Sequence, residues 1–117
     1  MPTRNEWRAL AERCEKATGY DLELDHALGV ACRRTHFHPP HIIDSLSTIV
    51  ALAERGFRHP IRICIVREYE YCNAEIDDLT EGDRYGNLMA FAERKDGHVA
   101  LALCAAYCRA KAEEAGE

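Results

Sequence analysis

Midway along the chain, the spacing of the apolar residues changes from the period of a helix to that of a strand. Before Gly56, apolar residues recur every three or four positions, whereas in the segment 61–67 three isoleucines occupy alternate positions and share one face. After Gly97 the helical spacing returns. Helices at both ends and strands between them predict an α+β fold. We expect an α/β sandwich in which about four helices pack on a small, mostly antiparallel sheet of two to three strands.

Four segments have helical apolar spacing, at about 4–17, 22–33, 42–55 and 98–114. Thr3 and Glu6 have the spacing of a capping box, Gly19 supplies a left-handed residue to end the first helix, and Asp21 caps the second. The predicted apolar faces consist of Trp7, Leu10, Ala11 and Cys14; Leu24, Leu28, Ala31 and Cys32; Ile42, Leu46, Ile49, Val50 and Ala53; and Leu101, Cys104, Ala105 and Cys108.

The central segment predicts strands over 61–67 and about 87–93. Residues 69–76 either continue the first strand or return as a second one, because no clear turn separates the two stretches. The polar segment 77–86 indicates a solvated loop, and Asp96-Gly97 indicates a turn.

Length and composition predict one globular domain covering residues 1–117, because the chain is 47% hydrophobic and 30% charged. No segment approaches the roughly 18 consecutive apolar residues of a membrane span. The start lacks the apolar run of a signal peptide. Six cysteines are present without a CxxC pair, and most lie in apolar periodic segments, so we expect reduced thiols and a cytoplasmic protein.

Three blocks of the chain resemble a family of small phage and prophage proteins that have the phage ABA-sandwich fold. They are ERCEKATGYDLELD at 12–25, PHIIDSL at 40–46 and ALALCAAYCRA at 100–110. The resemblance implies helices packed on a small sheet, a phage origin and a bacterial host cytoplasm. It carries no catalytic or ligand residues, and the segment 57–95 departs from the family pattern.

Charge is unevenly distributed along the chain, whose net charge is −5. Residues 33–67 contain six arginines and two acids, whereas residues 68–83 contain seven acids and no lysine or arginine. The acidic stretch is typical of a solvated surface, and a Ca²⁺ or Mg²⁺ site is not favoured because the EF-hand pattern is absent. If the chain acts by contact, we expect a host or phage protein to bind this stretch through Glu75, Asp77, Asp78, Glu81 and Asp83. The neighbouring arginines pair in part with these acids. Nucleic acid is not expected as a partner, since no aromatic residues interleave with the arginines.

Two other functions are weighed against protein binding. Cys32, His36, His38 and His41 have side chains that bind zinc, but Pro39-Pro40 lies inside the cluster and no second pair has a standard spacing, so we expect an ordinary loop without metal. An enzyme with a cysteine nucleophile is the second alternative, although no catalytic motif is present. The sequence therefore favours a non-enzymatic binding protein without a cofactor. The resemblance implies a phage accessory protein, for which a host defence protein such as a CRISPR effector is one target.

Overall fold

The computed structural model describes residues 2–19, 21–32, 42–43, 45–80 and 87–115. Within these ranges the helices are α1 (Arg4–Lys16), α2 (Leu22–Ala31), α3 (Leu46–Arg55) and α4 (Val99–Glu114). The strands β1 (Ile61–Glu68), β2 (Tyr71–Asp78) and β3 (Asn87–Arg94) form one antiparallel sheet in the order β1-β2-β3. The predicted α+β class, with helices packed on a small antiparallel sheet, is confirmed.

Local hydrogen bonds begin the first two helices where the sequence predicts. The Thr3 hydroxyl accepts from the Glu6 amide, and the Glu6 carboxylate accepts from the Thr3 amide, so the capping box is complete. Asp21 caps α2 by accepting from the Leu24 amide at 3.0 Å. Each cap provides a partner for backbone groups that the first helical turn leaves without one.

One predicted helix start and one predicted helix-ending residue are wrong. The third helix begins at Leu46, not at residue 42, because the Ser45 hydroxyl accepts from the Thr48 amide and caps it there. Ile42 is buried, but in a turn before that helix. Helix α1 ends at Lys16, within one residue of the predicted end, and its C-cap Ala17 is extended. Gly19 has no positive φ, so the predicted left-handed glycine does not end the helix.

Helix α4 is buried on all sides because it lies between the sheet and the other helices. It contacts all three strands as well as α1 and α3. Leu101, Cys104, Ala105 and Cys108 are buried as predicted, but the helix has no single apolar face, since Leu103 is also fully buried. Its many alanines allow close approach on both sides. None of the described helices has both the length and the apolar composition of a membrane crossing.

Strands β1 and β2 form a hairpin joined by the two residues Tyr69 and Glu70. The chain therefore returns as a second strand after β1 and does not continue the first one. Ile63 lies opposite Ile76, and both face the helices, but Ile63 is only half-buried because β1 is an edge strand. Strand β2 continues to Asp78, so the prediction of a solvated loop from 77 is wrong at its start. Residues 81–86 of that loop lie outside the described residues.

Candidate functional site

One face of the sheet packs on α4, and no helix of the described residues packs on the other face, which we call the open face. Side chains of a strand alternate between faces, so the register assigns the open-face residues. They are Arg62, Cys64, Val66 and Glu68 of β1; Tyr71, Asn73, Glu75 and Asp77 of β2; and Leu88, Phe91 and Glu93 of β3. This face includes part of the predicted acidic surface.

At one end of the open face, Arg62 and Asp77 form a two-bond ion pair across β1 and β2. Nε and Nη2 of Arg62 donate to Oδ2 of Asp77 at 3.1 and 2.9 Å. The Asp77 side chain is 4% exposed, and its hydrogen bonds raise the pKa of Arg62. The expected pairing between the basic and acidic stretches is therefore present, and Asp77 is already engaged within the chain.

Three possible metal ligands converge beside this ion pair. Ligand atoms of Cys64, Glu75 and Asp77 all lie within 4.8 Å of one another. Cys64 is opposite Glu75 in the strand register, and Asp77 follows Glu75 by two positions on the same face. A hydrogen bond with the Asp77 carboxyl group, together with burial, raises the pKa of Glu75. The structure thus joins a thiol to the predicted carboxylates.

The other end of the open face has a polar network next to exposed apolar side chains. Tyr71 Oη donates to Oε2 of Glu93 at 2.9 Å, and Nδ2 of Asn73 donates to Tyr71 Oη at 3.2 Å. The exposed fractions are 46% for Val66, which lies at this end, and 38% for Phe91, which lies opposite Glu75 in the middle of the face. The open face therefore combines fixed polar groups with apolar area that no described helix covers.

Of the remaining predicted partner-binding residues, the structure describes Asp78 alone, and Asp78 does not lie on the open face. Asp78 is opposite Ile61 and therefore lies on the other face of β2. The Asp78 carboxylate accepts hydrogen bonds from the hydroxyl and the amide of Thr80, and these bonds lower the pKa of Asp78. The same carboxylate lies 3.3 Å from His59 Nδ1. Glu81 and Asp83 lie outside the described residues.

Most of the alternative zinc cluster also lies outside the described residues. His36, His38 and His41 are not described, whereas Cys32 is the C-terminal cap of α2. Cys64 is not predicted from sequence as a site residue, because a single cysteine in an isoleucine-rich strand resembles a packing residue. Its link to Glu75 becomes visible only with the strand register.

A group of buried thiols has unusual electrostatics without access from solvent. Hydrogen bonds from the thiols of Cys104 and Cys108 lower the pKa of Cys14 to about 5, and the pKa values of those two donors are raised. Cys14 is nevertheless fully buried between α1 and α4. A nucleophile needs a thiolate that a substrate can reach, so this group gives no support to the enzyme alternative.

A groove of about 470 Å³ lies at the free edge of β3 and is lined in part by Arg8, Glu15, Phe91 and Arg109. Arg109 forms an ion pair with Glu15 and donates to the Phe91 carbonyl oxygen. The side chain thus covers a backbone acceptor that an added strand would use. Charged groups paired with each other leave no set of polar groups converging on a ligand.

Comparisons with protein-family models, with curated proteins and with solved structures find no match to this chain.

Proposed function

We propose that this chain is a non-enzymatic protein-binding domain whose open face docks on a basic surface of a partner protein. The observation that carries the proposal is the charge of this face. Four carboxylates, from Glu68, Glu75, Asp77 and Glu93, accompany a single guanidinium, from Arg62. Complementary charge steers association and selects the partner.

Exposed apolar side chains on the open face add apolar contact area to this charge complementarity. Val66 and Phe91 belong to the outer strands of the sheet, and the Tyr71–Glu93 hydrogen bond holds the polar groups between them in place. Aromatic and aliphatic anchors surrounded by polar groups are typical of protein interfaces. We therefore expect a partner that presents lysines or arginines around an apolar recess.

The same charge argues against nucleic acid as the partner, because a face with surplus carboxylates repels a phosphate backbone. The resemblance to phage and prophage proteins supplies a setting for the proposal: the chain is a phage accessory protein, and its partner is a host or phage protein. A basic protein of a host defence system, such as a CRISPR effector, has the required chemistry.

The test reverses charge on the open face and compares it with an equal reversal elsewhere. The variant E68K/E93K changes two exposed carboxylates, whereas E23K/E54K makes the same charge change at exposed positions of α2 and α3. Asp77 is unsuitable, because its replacement removes the partner of Arg62. Replacing Glu93 also removes the acceptor of Tyr71, so Y71F, which removes that hydrogen bond without changing charge, is measured as a second control and should match the wild type. Circular dichroism establishes that each variant is folded.

A candidate partner is first captured from a bacterial lysate with the wild-type chain, identified by mass spectrometry and purified. Association rates are then measured at several salt concentrations. We expect E68K/E93K to associate about tenfold more slowly at low salt, with a weaker salt dependence, and E23K/E54K to match the wild type. Equal rates for both variants contradict the proposal, and so does a captured ligand that is nucleic acid.

A further inference from the structure

We propose that Cys64, Glu75 and Asp77 form a binding site for a zinc-type divalent cation on the open face. The site shares Glu75 and Asp77 with the docking face, but it does not rest on the protein-binding proposal, since the convergence of its donors is independent of any partner. Its basis is the convergence of one sulfur and two carboxylate donors within 4.8 Å of one another. Three protein ligands that leave a fourth position open are a recurrent arrangement for zinc.

The backbone brings these donors together without a flexible loop. Cys64 and Glu75 lie directly opposite each other on β1 and β2, and Asp77 follows on the same face of β2. Donor atoms in a tetrahedral zinc site are roughly 3.5 Å apart, as zinc–ligand bonds of about 2.0–2.3 Å require. The observed separations of up to 4.8 Å exceed this spacing by at most about 1.3 Å, which side-chain rotation has to close when the cation binds.

The donor set favours zinc over the hard cations. A thiolate is a soft ligand that Mg²⁺ and Ca²⁺ do not prefer, whereas zinc accepts sulfur and carboxylate oxygen together. Binding replaces the Cys64 thiol proton, which is released to the buffer, so the new bond is a thiolate–metal bond without any redox step.

Charge and burial around the site support the same cation. The Asp77 side chain is 4% exposed, and its Oδ2 accepts a hydrogen bond from Arg62 Nη2. With zinc bound, the thiolate and the two carboxylates carry three negative charges, against one positive charge on Arg62. A divalent cation balances the remaining charge, and the guanidinium keeps the Asp77 ligand oriented, as outer groups commonly do at metal sites.

Cobalt(II) is a direct probe of this site, because its bond to a thiolate gives a charge-transfer absorption that carboxylates alone do not produce. The wild-type chain, C64S and C32S are each titrated with Co²⁺ and then with Zn²⁺ as competitor. We expect one equivalent of Co²⁺ in the wild type, with the band lost in C64S and retained in C32S. Glu75→Gln is expected to weaken binding at least about tenfold.

A band absent from the wild type overturns the proposal. A band lost in C32S but kept in C64S also overturns it, because that result assigns the metal to the alternative cluster of Cys32, His36, His38 and His41. Protection from alkylation gives a second measurement on the unmodified chain, in case C64S does not fold. Zinc should slow the reaction of Cys64 with iodoacetamide, mapped by peptide mass spectrometry, and leave that of Cys32 unchanged. Equal alkylation of Cys64 with and without zinc also overturns the proposal.

Discussion

The guanidinium of Arg94 binds the side chain of Asp96 and the C-terminal end of α1 at the same time. Its Nε donates to Oδ1 of Asp96 at 2.9 Å. Nη1 donates to the carbonyl oxygens of Cys14 at 2.5 Å and Glu15 at 3.2 Å, and Nη2 donates to that of Ala17. Because the last carbonyls of a helix have no helical donor, one buried arginine of β3 completes α1.

Replacing Arg94 by alanine should be strongly destabilising. The change leaves the carbonyl groups at the end of α1 without their donor, and Arg94 is only 7% exposed, so water replaces it poorly. We expect a loss of about 3–5 kcal/mol in the free energy of unfolding, measured by urea denaturation. Arg94→Lys keeps the positive charge but lacks the planar guanidinium. Its free energy of unfolding should therefore lie between those of the wild type and Arg94→Ala. A loss below about 1 kcal/mol for Arg94→Ala would show that the contact contributes little.

Stability should also decrease in acid through Asp96. The hydrogen bonds from Arg94, followed by that from the His98 amide, hold the pKa of Asp96 well below its value of about 3.9 in an unfolded chain. The folded state therefore favours the carboxylate, and this stabilisation is present above about pH 4 and is lost as pH falls toward the folded pKa. Urea denaturation of the wild type and Asp96→Asn should give free energies that differ at pH 7 and converge in acid. A constant difference contradicts this assignment.

Gly56 should not tolerate a methyl group. A Cβ at this position would lie 2.7 Å from Tyr107 Oη and 3.1 Å from the Leu52 carbonyl oxygen. We expect Gly56→Ala to cost about 1–3 kcal/mol in thermal or urea unfolding. Gly19→Ala is the matched control, since no atom lies within 4 Å of its Cβ, and should change stability little. Adding Tyr107→Phe should restore part of the loss. Additive effects of the two changes would exclude this steric explanation.

Tyr69 is held in a backbone conformation that glycine adopts more readily. Its φ is +51°, and its side chain is 99% exposed, so no packing compensates for the strain. Tyr69→Gly should therefore raise the free energy of unfolding by about 0.5–1 kcal/mol, measured as a higher Tm. Glu70, the other residue of the turn, has no positive φ, and Glu70→Gly should not stabilise the chain. Equal effects at both positions would argue against strain at Tyr69.

The helix starts could be predicted from sequence because their causes are local. The capping box of Thr3 and Glu6 and the cap at Asp21 each join residues three positions apart. The start of α3 was misplaced for a related reason: apolar spacing includes Ile42, but the Ser45 cap decides where the helix begins. Ile42 is buried all the same, since burial requires an apolar side chain and not a helix.

The β1–β2 hairpin could not be predicted with the same certainty. Its turn contains Tyr69 and Glu70 instead of the glycine or asparagine that usually marks positive φ. The hairpin forms because pairing Ile63 with Ile76 and Ile65 with Ala74 places these side chains against α4. That gain depends on residues far along the chain, which compensates for a locally unfavourable turn.

The sequence by itself determined the α+β class and the concentration of acids in the central segment, because apolar period and composition are properties of neighbouring residues. The tertiary structure alone decided what those acids do. Alternation along β2 places Glu75 and Asp77 on the open face and Asp78 on the opposite face. The register then brings Cys64, eleven positions before Glu75 in the sequence, into the same cluster. Strand register is set by burial across the whole sheet, so no local pattern specifies which side chains meet.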